Sequence, residues 1–453
     1  MITDNLITFP VLLAGGSGTR LWPISRNQAP KQLAEFGGER SLIQETIQRL
    51  RPTLCLDNVR VVCGETHCDD SSEHLASIGL KTENKIISEP VGRNTAPAIL
   101  LAVLKILDQA CLQDALFFIL PADHVIKDVP RFHEKIVKAV DLANKGYLVT
   151  FGIQPDYPET GYGYIEGKKV LPGGELSIAR FVEKPDMKTA KTYIKAGNFF
   201  WNSGMFAFRA STILNEFKEL EPDMLEKMTA IVKKGDPISF EAYQDLQSIS
   251  FDVAIMEKTS KGMVLPSDFG WSDIGTWNSL YVSMPKNGNG NMIAGDVIAN
   301  NTQNSLIIAK SRLLAVNDIS DTVIVETPDA VFVSKLDTSR NVKDIVSMLK
   351  QQNRRECQKH LQETYAWGMI QYLEKTDTLM VVKLLIKPRA TYGMAPYPSG
   401  RLHICLTSGK ARIYHDKAQH ELQAGYSLSL DAQSEVEIRN VRDDALSAII
   451  THS

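Results

Sequence analysis

The sequence predicts an α/β layered domain over residues 9 to about 285, followed by β-rich pieces to the C-terminus. Three observations carry that expectation. Short apolar runs alternate with amphipathic stretches at helical spacing. The first apolar run passes straight into a glycine-rich turn, Ala14-Gly-Gly-Ser-Gly-Thr19. Near Lys286-Asn-Gly-Asn-Gly-Asn291 the composition shifts to turn residues, and short β-rich runs then recur at roughly 8–10-residue intervals.

Taken in order, the first strand is the apolar run Val11-Leu-Leu13, with Pro10 at its start because Pro cannot donate to a ladder. Residues 41–50 carry Leu42, Thr46 and Leu50 at helical spacing. Residues 59–63 and 85–87 read as strands, 95–107 as a mostly apolar helix, and 116–120 as a buried strand ending at Pro121-Ala-Asp-His-Val125. Residues 147–152 read as a further strand. Past residue 286, strand-like runs fall at 296–298, 305–308, 313–316, 322–325 and 330–333, and 342 to about 362 reads as a helical connector. Strands return at 379–386, 403–407, 411–414 and 446–450. The expected organisation is therefore a domain over 1–285, a β-rich segment with its connector over 286–362, and a C-terminal domain over 363–453.

Bulk composition excludes several classes. Fifty basic against 53 acidic side chains give a net charge of −3, so no basic field invites nucleic acid. Affinity for phosphates must come from local sites. The longest apolar run, residues 96–104, is too short to span a bilayer, so no membrane partner is expected. No basic segment followed by an apolar one opens the chain, so no signal peptide is expected. The six cysteines contain no Cys-x-x-Cys pair and are too sparse for a disulfide framework. Free thiols in a reducing cytoplasm are the expectation.

The turn after the first strand carries the chemistry. Gly15, Gly16 and Gly18 let the backbone bend and approach a ligand closely, aiming several N–H groups at one anion. Arg20 and Lys31 add the positive charge that suits a triphosphate. The Walker pattern is absent, and Leu21 stands where the dinucleotide pattern needs a third Gly. The whole stretch, Gly15-Gly-Ser-Gly-Thr-Arg-Leu-Trp-Pro-Ile-Ser25 with Pro30-Lys-Gln32, closely resembles the opening motif of the sugar-1-phosphate nucleotidyltransferases. Its Leu-Trp-Pro-Ile-Ser form is similar to the mannose-1-phosphate guanylyltransferase branch.

That resemblance implies a Rossmann-like nucleotidyltransferase domain with a mixed sheet, then a β-helix-like segment and a C-terminal cupin-like β-barrel. It implies GTP and mannose 1-phosphate as substrates and Mg²⁺ as cofactor. Arg20, Lys31, Asp123, Lys184 and Asp273 would be catalytic. Ala14, Gly15, Gly16, Ser17, Gly18, Thr19, Glu89, Gly92 and Asn94 would hold the nucleotide.

Each further motif has a plainer alternative. Asp123 lies just past a buried strand, where α/β sheets place ligand sites, and Asp273 lies in Gly270-Trp-Ser-Asp-Ile-Gly275; each is a metal ligand by resemblance or an ordinary turn Asp. Two carboxylates with phosphate oxygens suit Mg²⁺. His124 has no partner His at ligand spacing and is taken as structural. Phe181-Val-Glu-Lys-Pro185 is the sugar-phosphate motif by resemblance, or a solvated Glu183–Lys184 pair. Gly163 and Asn202 would join Glu183 and Lys184 around the sugar. Glu89-Pro-Val-Gly-Arg-Asn-Thr-Ala-Pro97 resembles the guanylyl branch's base segment, while Asn94 also reads as a helix N-cap.

In relatives carrying a C-terminal phosphomannose isomerase domain, a His-x-His and a following Glu bind the metal. The corresponding positions here are Tyr397, Ser399 and Leu402, and only His403, next in line, matches. The expectation is a degenerate domain without isomerase activity, its shell retained for packing and for contacts in a homodimer.

Overall fold

The structure is a computed structural model and describes residues 6–453 apart from Ser17, Ala366 and Asp377. It divides into two compact units. The first holds residues up to Ala309 with Leu313–Val325 and Phe332–Asn353; the second holds Lys310–Arg312, Glu326–Val331 and Arg354–Ser453.

A nine-stranded mixed sheet forms the centre of the first unit. Its strands are β1 (Thr8–Leu13), β2 (Arg60–Gly64), β3 (Ile86–Glu89), β4 (Leu116–Pro121), β6 (Leu148–Ile153), β7 (Tyr164–Val170), β8 (Leu176–Val182), β9 (Phe199–Arg209) and β10 (Gly262–Ser267), in the order β3-β2-β1-β4-β9-β6-β10-β8-β7. Two short strands, β5 (His124–Ile126) and β11 (Trp271–Asp273), make a separate ladder. Strand β1 is apolar from Phe9 to Leu13 because both its faces are covered. Phe9 and Val11 enter one core with Phe117 and Ile119 of β4. Leu12 and Ala14 enter the other with Leu116, Phe118 and Leu120.

Chain order places the site. Strand β1 pairs in parallel with both β2 and β4. The chain winds outward from β1 through β2 to β3, then returns to the other side of β1 at β4. A crevice opens at such a reversal, beyond the C-terminal ends of the strands. The helix Thr95–Gln109 returns the chain from β3. Asn94 caps it, its side chain accepting from the Thr95 N–H at 2.9 Å.

After residue 286, parallel coiling begins. Met292–Ala294 pairs with Leu306–Ala309, and Val297–Asn300 pairs with Leu314–Asn317. The Asn300 amide donates to Asn317 Oδ1 at 2.5 Å, one coil above the next. The helix expected to reach about residue 362 stops at Gln351. Asn353, at φ 52°, takes the left-handed conformation that ends helices, and a strand follows at Gln362–Tyr365. Strands β7 and β8, most of β9, and β10 are absent from the sequence reading; their pairings are antiparallel or long-range and leave no local signature.

In the second unit, one six-stranded and one four-stranded antiparallel sheet enclose a single apolar core, including Leu384, Ile404, Ile413, Ile438 and Leu446. This is the double-sheet class that includes cupins.

Candidate active site

The glycine-rich loop leaves β1 at Ala14, whose N–H donates to the Val62 carbonyl at 2.8 Å. Two side chains pin it. Gln32 Nε2 donates to Ala14 O at 2.6 Å, and Ser25 Oγ donates to Gly18 O at 2.7 Å. Gly18 sits at φ 56°, and a Cβ there would lie 2.7 Å from Lys31 Cγ. Glycine therefore lets the Lys31 stem pass directly beneath the loop. Arg20 is exposed on the turn Thr19–Leu21. Ser17 lies outside the described residues.

Lys31 draws the two predicted metal ligands together. Its Nζ stands 2.7 Å from Asp123 Oδ2 and 3.4 Å from Asp273 Oδ1, and donates to the Ile274 carbonyl at 2.9 Å. The β5–β11 ladder makes this possible, since it sets Asp273 opposite His124. Burial alone would raise Asp123, but the Lys31 ammonium and His124 outweigh it and hold the carboxyl below its ordinary range. Burial likewise opposes the Lys31 charge, and Asp123 with Asp273 more than restores it. His124 is a strut: Trp271 Nε1 donates to its Nδ1 at 3.0 Å, and burial, partly offset by Asp123, pushes its pKa down. Two hard carboxylates converging on one cation fit an ion that takes few protein ligands.

A second group gathers Gly163, Glu183, Lys184 and Asn202. Lys184 pairs with the Glu183 carboxylate and has φ 45°, an unusual conformation for a side-chain-bearing residue. A Cβ on Gly163 would come within 2.7 Å of Glu183 Oε2, so Gly163 makes room for that carboxylate. Asn202 N donates to Gly163 O at 2.8 Å. The Asn202 amide is already engaged: Oδ1 accepts from Thr150 Oγ1 and Gly204 N, and Nδ2 donates to Asp252 Oδ1 at 2.8 Å. Asp252 is absent from the sequence reading. Burial, then the neighbouring Glu183 charge, pushes its pKa up to about 7.

A cleft of about 570 Å³ is lined by Asp123 of the first group and by Asp252, the partner of Asn202 in the second. The expected residues Gly15, Gly16, Glu89, Gly92, Asn94 and Asp123 all line it, and so do the unexpected Ser248 and Asp252. Glu89 is buried, accepts from the Tyr243 hydroxyl at 2.6 Å, and has its pKa pushed up to about 7 by burial. Asn94 both caps its helix and faces the cleft.

Residues 9–289 match the nucleotidyl transferase family model, and residues 295–349 match the mannose-phosphate isomerase/GMP-like β-helix domain. The chain belongs to the mannose-1-phosphate guanylyltransferase family. A Salmonella muenchen mannose-1-phosphate guanylyltransferase is 40% identical over 89% of this chain and 86% of its own. The Pseudomonas syringae alginate biosynthesis protein AlgA is 37% identical over 95% of this chain and 90% of its own. Among solved structures, a Thermus thermophilus protein described as a mannose-1-phosphate geranyltransferase superposes with a TM-score of 0.68. It is 30% identical and covers 76% of this chain and 99% of its own.

Proposed function

We propose that this member of the guanylyltransferase family joins GTP to mannose 1-phosphate, giving GDP-mannose and pyrophosphate. The observation that carries the reading is the convergence of Lys31, Asp123 and Asp273 beneath the glycine-rich loop, at a cleft lined by Asp123 and by Asp252, which holds Asn202 of the group with Glu183 and Lys184. The reaction is an in-line displacement at the α-phosphorus, and its nucleophile is already an anion. Holding two anions together is the main requirement.

In this reading the Gly15–Gly16 backbone and Arg20 face the triphosphate, and Lys31 places an ammonium beside it. Arg20, exposed at the lip of the loop, offsets charge growing on the departing pyrophosphate. Glu89, Gly92 and Asn94 face the base. Lys184 holds the sugar's phosphate and Glu183 accepts sugar hydroxyls. Asp123 and Asp273 would hold Mg²⁺, which when bound neutralises phosphate charge and orients the reacting oxygens.

The second unit supports a reading without isomerase activity. Leu402 is packed in its core, and His403 is on the outer face of its strand, hydrogen-bonded to Ser429 at 2.7 Å. Tyr397 stacks on His452 with ring centroids 4.0 Å apart. A cytoplasmic location agrees with six unpaired cysteines. No described helix is long and apolar enough to cross a membrane. Pairing with a second copy of the chain is decided by light scattering.

A pyrophosphate-release screen of the purified chain against nucleoside triphosphates and sugar phosphates tests the reading. GTP with mannose 1-phosphate should turn over fastest. A different preferred pair would replace the assigned substrates while leaving the chemistry in place.

A further inference from the structure

We propose that Cys63 and Cys68 are a redox modification site, oxidised by a hydroperoxide to an intramolecular disulfide that weakens nucleotide binding in the adjacent cleft. Four residues separate them in sequence, yet their sulfurs lie 3.7 Å apart. Cys63 is fully buried near the end of β2, and Cys68, only partly buried, opens the helix Cys68–Ser77. The two thiols are not equivalent. The hydrogen bond from the Cys63 thiol lowers the Cys68 pKa despite burial, and the same contact raises Cys63. The more accessible sulfur is thus the better thiolate, and its buried neighbour is the one placed to resolve it.

The chemistry balances. The Cys68 thiolate attacks one oxygen of hydrogen peroxide, the O–O bond breaks, and the departing hydroxide takes up a proton to become water. Cys68 is now a sulfenic acid. The Cys63 sulfur attacks the Cys68 sulfur, the S–O bond breaks, and the hydroxyl leaves with the Cys63 proton as a second water. Two thiols are oxidised and one peroxide is reduced.

Position gives the disulfide its effect. The residue before Cys63, Val62, lines the cleft, and its carbonyl holds Ala14 at the root of the glycine-rich loop. In the β2–β3 ladder Cys63 stands opposite Ser88, and Gly64 opposite Glu89, the cleft carboxyl. A disulfide closes the sulfurs from 3.7 Å to about 2.05 Å, a movement of more than 1 Å shared between side-chain rotation and the backbone of β2 and the helix start. Shifts of that size at positioning elements cost large factors in activity.

The test uses the full chain and hydrogen peroxide. Trypsin yields a peptide over residues 61–81 that carries both cysteines and no other. After peroxide this peptide should resist alkylation and weigh two hydrogens less, and dithiothreitol should reverse both. The GTP Kd, read by calorimetry and so independent of turnover, should weaken on the order of tenfold on oxidation and recover on reduction. Cys68→Ser should bind GTP normally and ignore peroxide. Alkylatable cysteines after peroxide, over-oxidised cysteines, or a disulfide that leaves the GTP Kd unchanged would each overturn the proposal. The peptide measurement stands whatever sugar or base the enzyme prefers.

Discussion

Asp252→Asn should make the protein more stable and less active, and the gain should grow with pH. The wild-type carboxyl is partly buried, faces Glu183, and has its pKa raised from 3.8 to about 7. The sign follows from linkage. A raised carboxyl pKa means that the folded state keeps a proton which the unfolded chain releases. The site therefore costs nothing below about pH 4, and stability falls as pH climbs through the interval up to about 7. Roughly three pH units at about 1.4 kcal/mol each give a loss of about 4 kcal/mol above pH 7, an upper bound that local relaxation reduces. Asparagine keeps an Oδ1 to accept from Asn202 Nδ2, at 2.8 Å in the wild type, and carries no charge. Urea unfolding followed by tryptophan fluorescence reads the first unit, which holds Trp22, Trp201, Trp271 and Trp277 of the five tryptophans. Asp252→Asn should gain about 2–4 kcal/mol at pH 8.5 and about 1 kcal/mol at pH 4.5. Turnover should fall, because the cleft lining loses a carboxylate beside Glu183. A gain independent of pH would refute the argument, and so would unchanged turnover.

Asp273→Asn should leave the fold intact and nearly abolish turnover, since half of the carboxylate pair around Lys31 is lost; wild-type turnover in excess chelator would sink the Mg²⁺ assignment. Lys184→Ala should chiefly raise KM for mannose 1-phosphate, whereas Arg20→Ala should chiefly lower kcat; an unchanged KM for the sugar phosphate in Lys184→Ala contradicts its role. Mannose 6-phosphate incubated with the full chain and added divalent metals should give no fructose 6-phosphate, and isomerisation at a rate comparable to guanylyl transfer would make the protein bifunctional.

Much of the site is legible because it is local. The first strand, its glycine turn and the Pro30-Lys-Gln32 segment lie within about twenty-five residues, and their contacts follow sequence neighbourhood. The Asp123–Asp273 pairing spans 150 positions, and what joins them is a three-residue ladder without hydrophobic periodicity; only the family motif made the second carboxylate visible. Asp252 had no such signal. It begins a single π-helical turn, Asp252–Met256, in a stretch that reads as ordinary amphipathic chain. Tyr243, which holds Glu89, sits 154 residues from it and looks like any core aromatic. Polar groups brought together by long-range pairing carry no periodic mark, whereas apolar strands do.

The second unit turns on a single register. Strand Arg401–Ser408 alternates exposed and buried positions up to Leu406, and Leu402 pairs with both Leu430 and His452. A one-residue slip would turn every inward side chain outward, so packing fixes which residues face the core. His403, the one side chain matching a ligand type of the isomerase-bearing relatives, falls on the outward phase. Leu402, Ile404 and Leu406 fill the inward phase and offer no lone pair to a metal. Restoring a glutamate at 402 alone would bury a carboxyl among aliphatic side chains, at a cost of roughly 1–3 kcal/mol or more if unpartnered. Several simultaneous changes would be needed to rebuild a metal centre, while the apolar alternation that closes the shell is intact. That asymmetry favours the proposed reading, in which packing rather than isomerase chemistry maintains this unit.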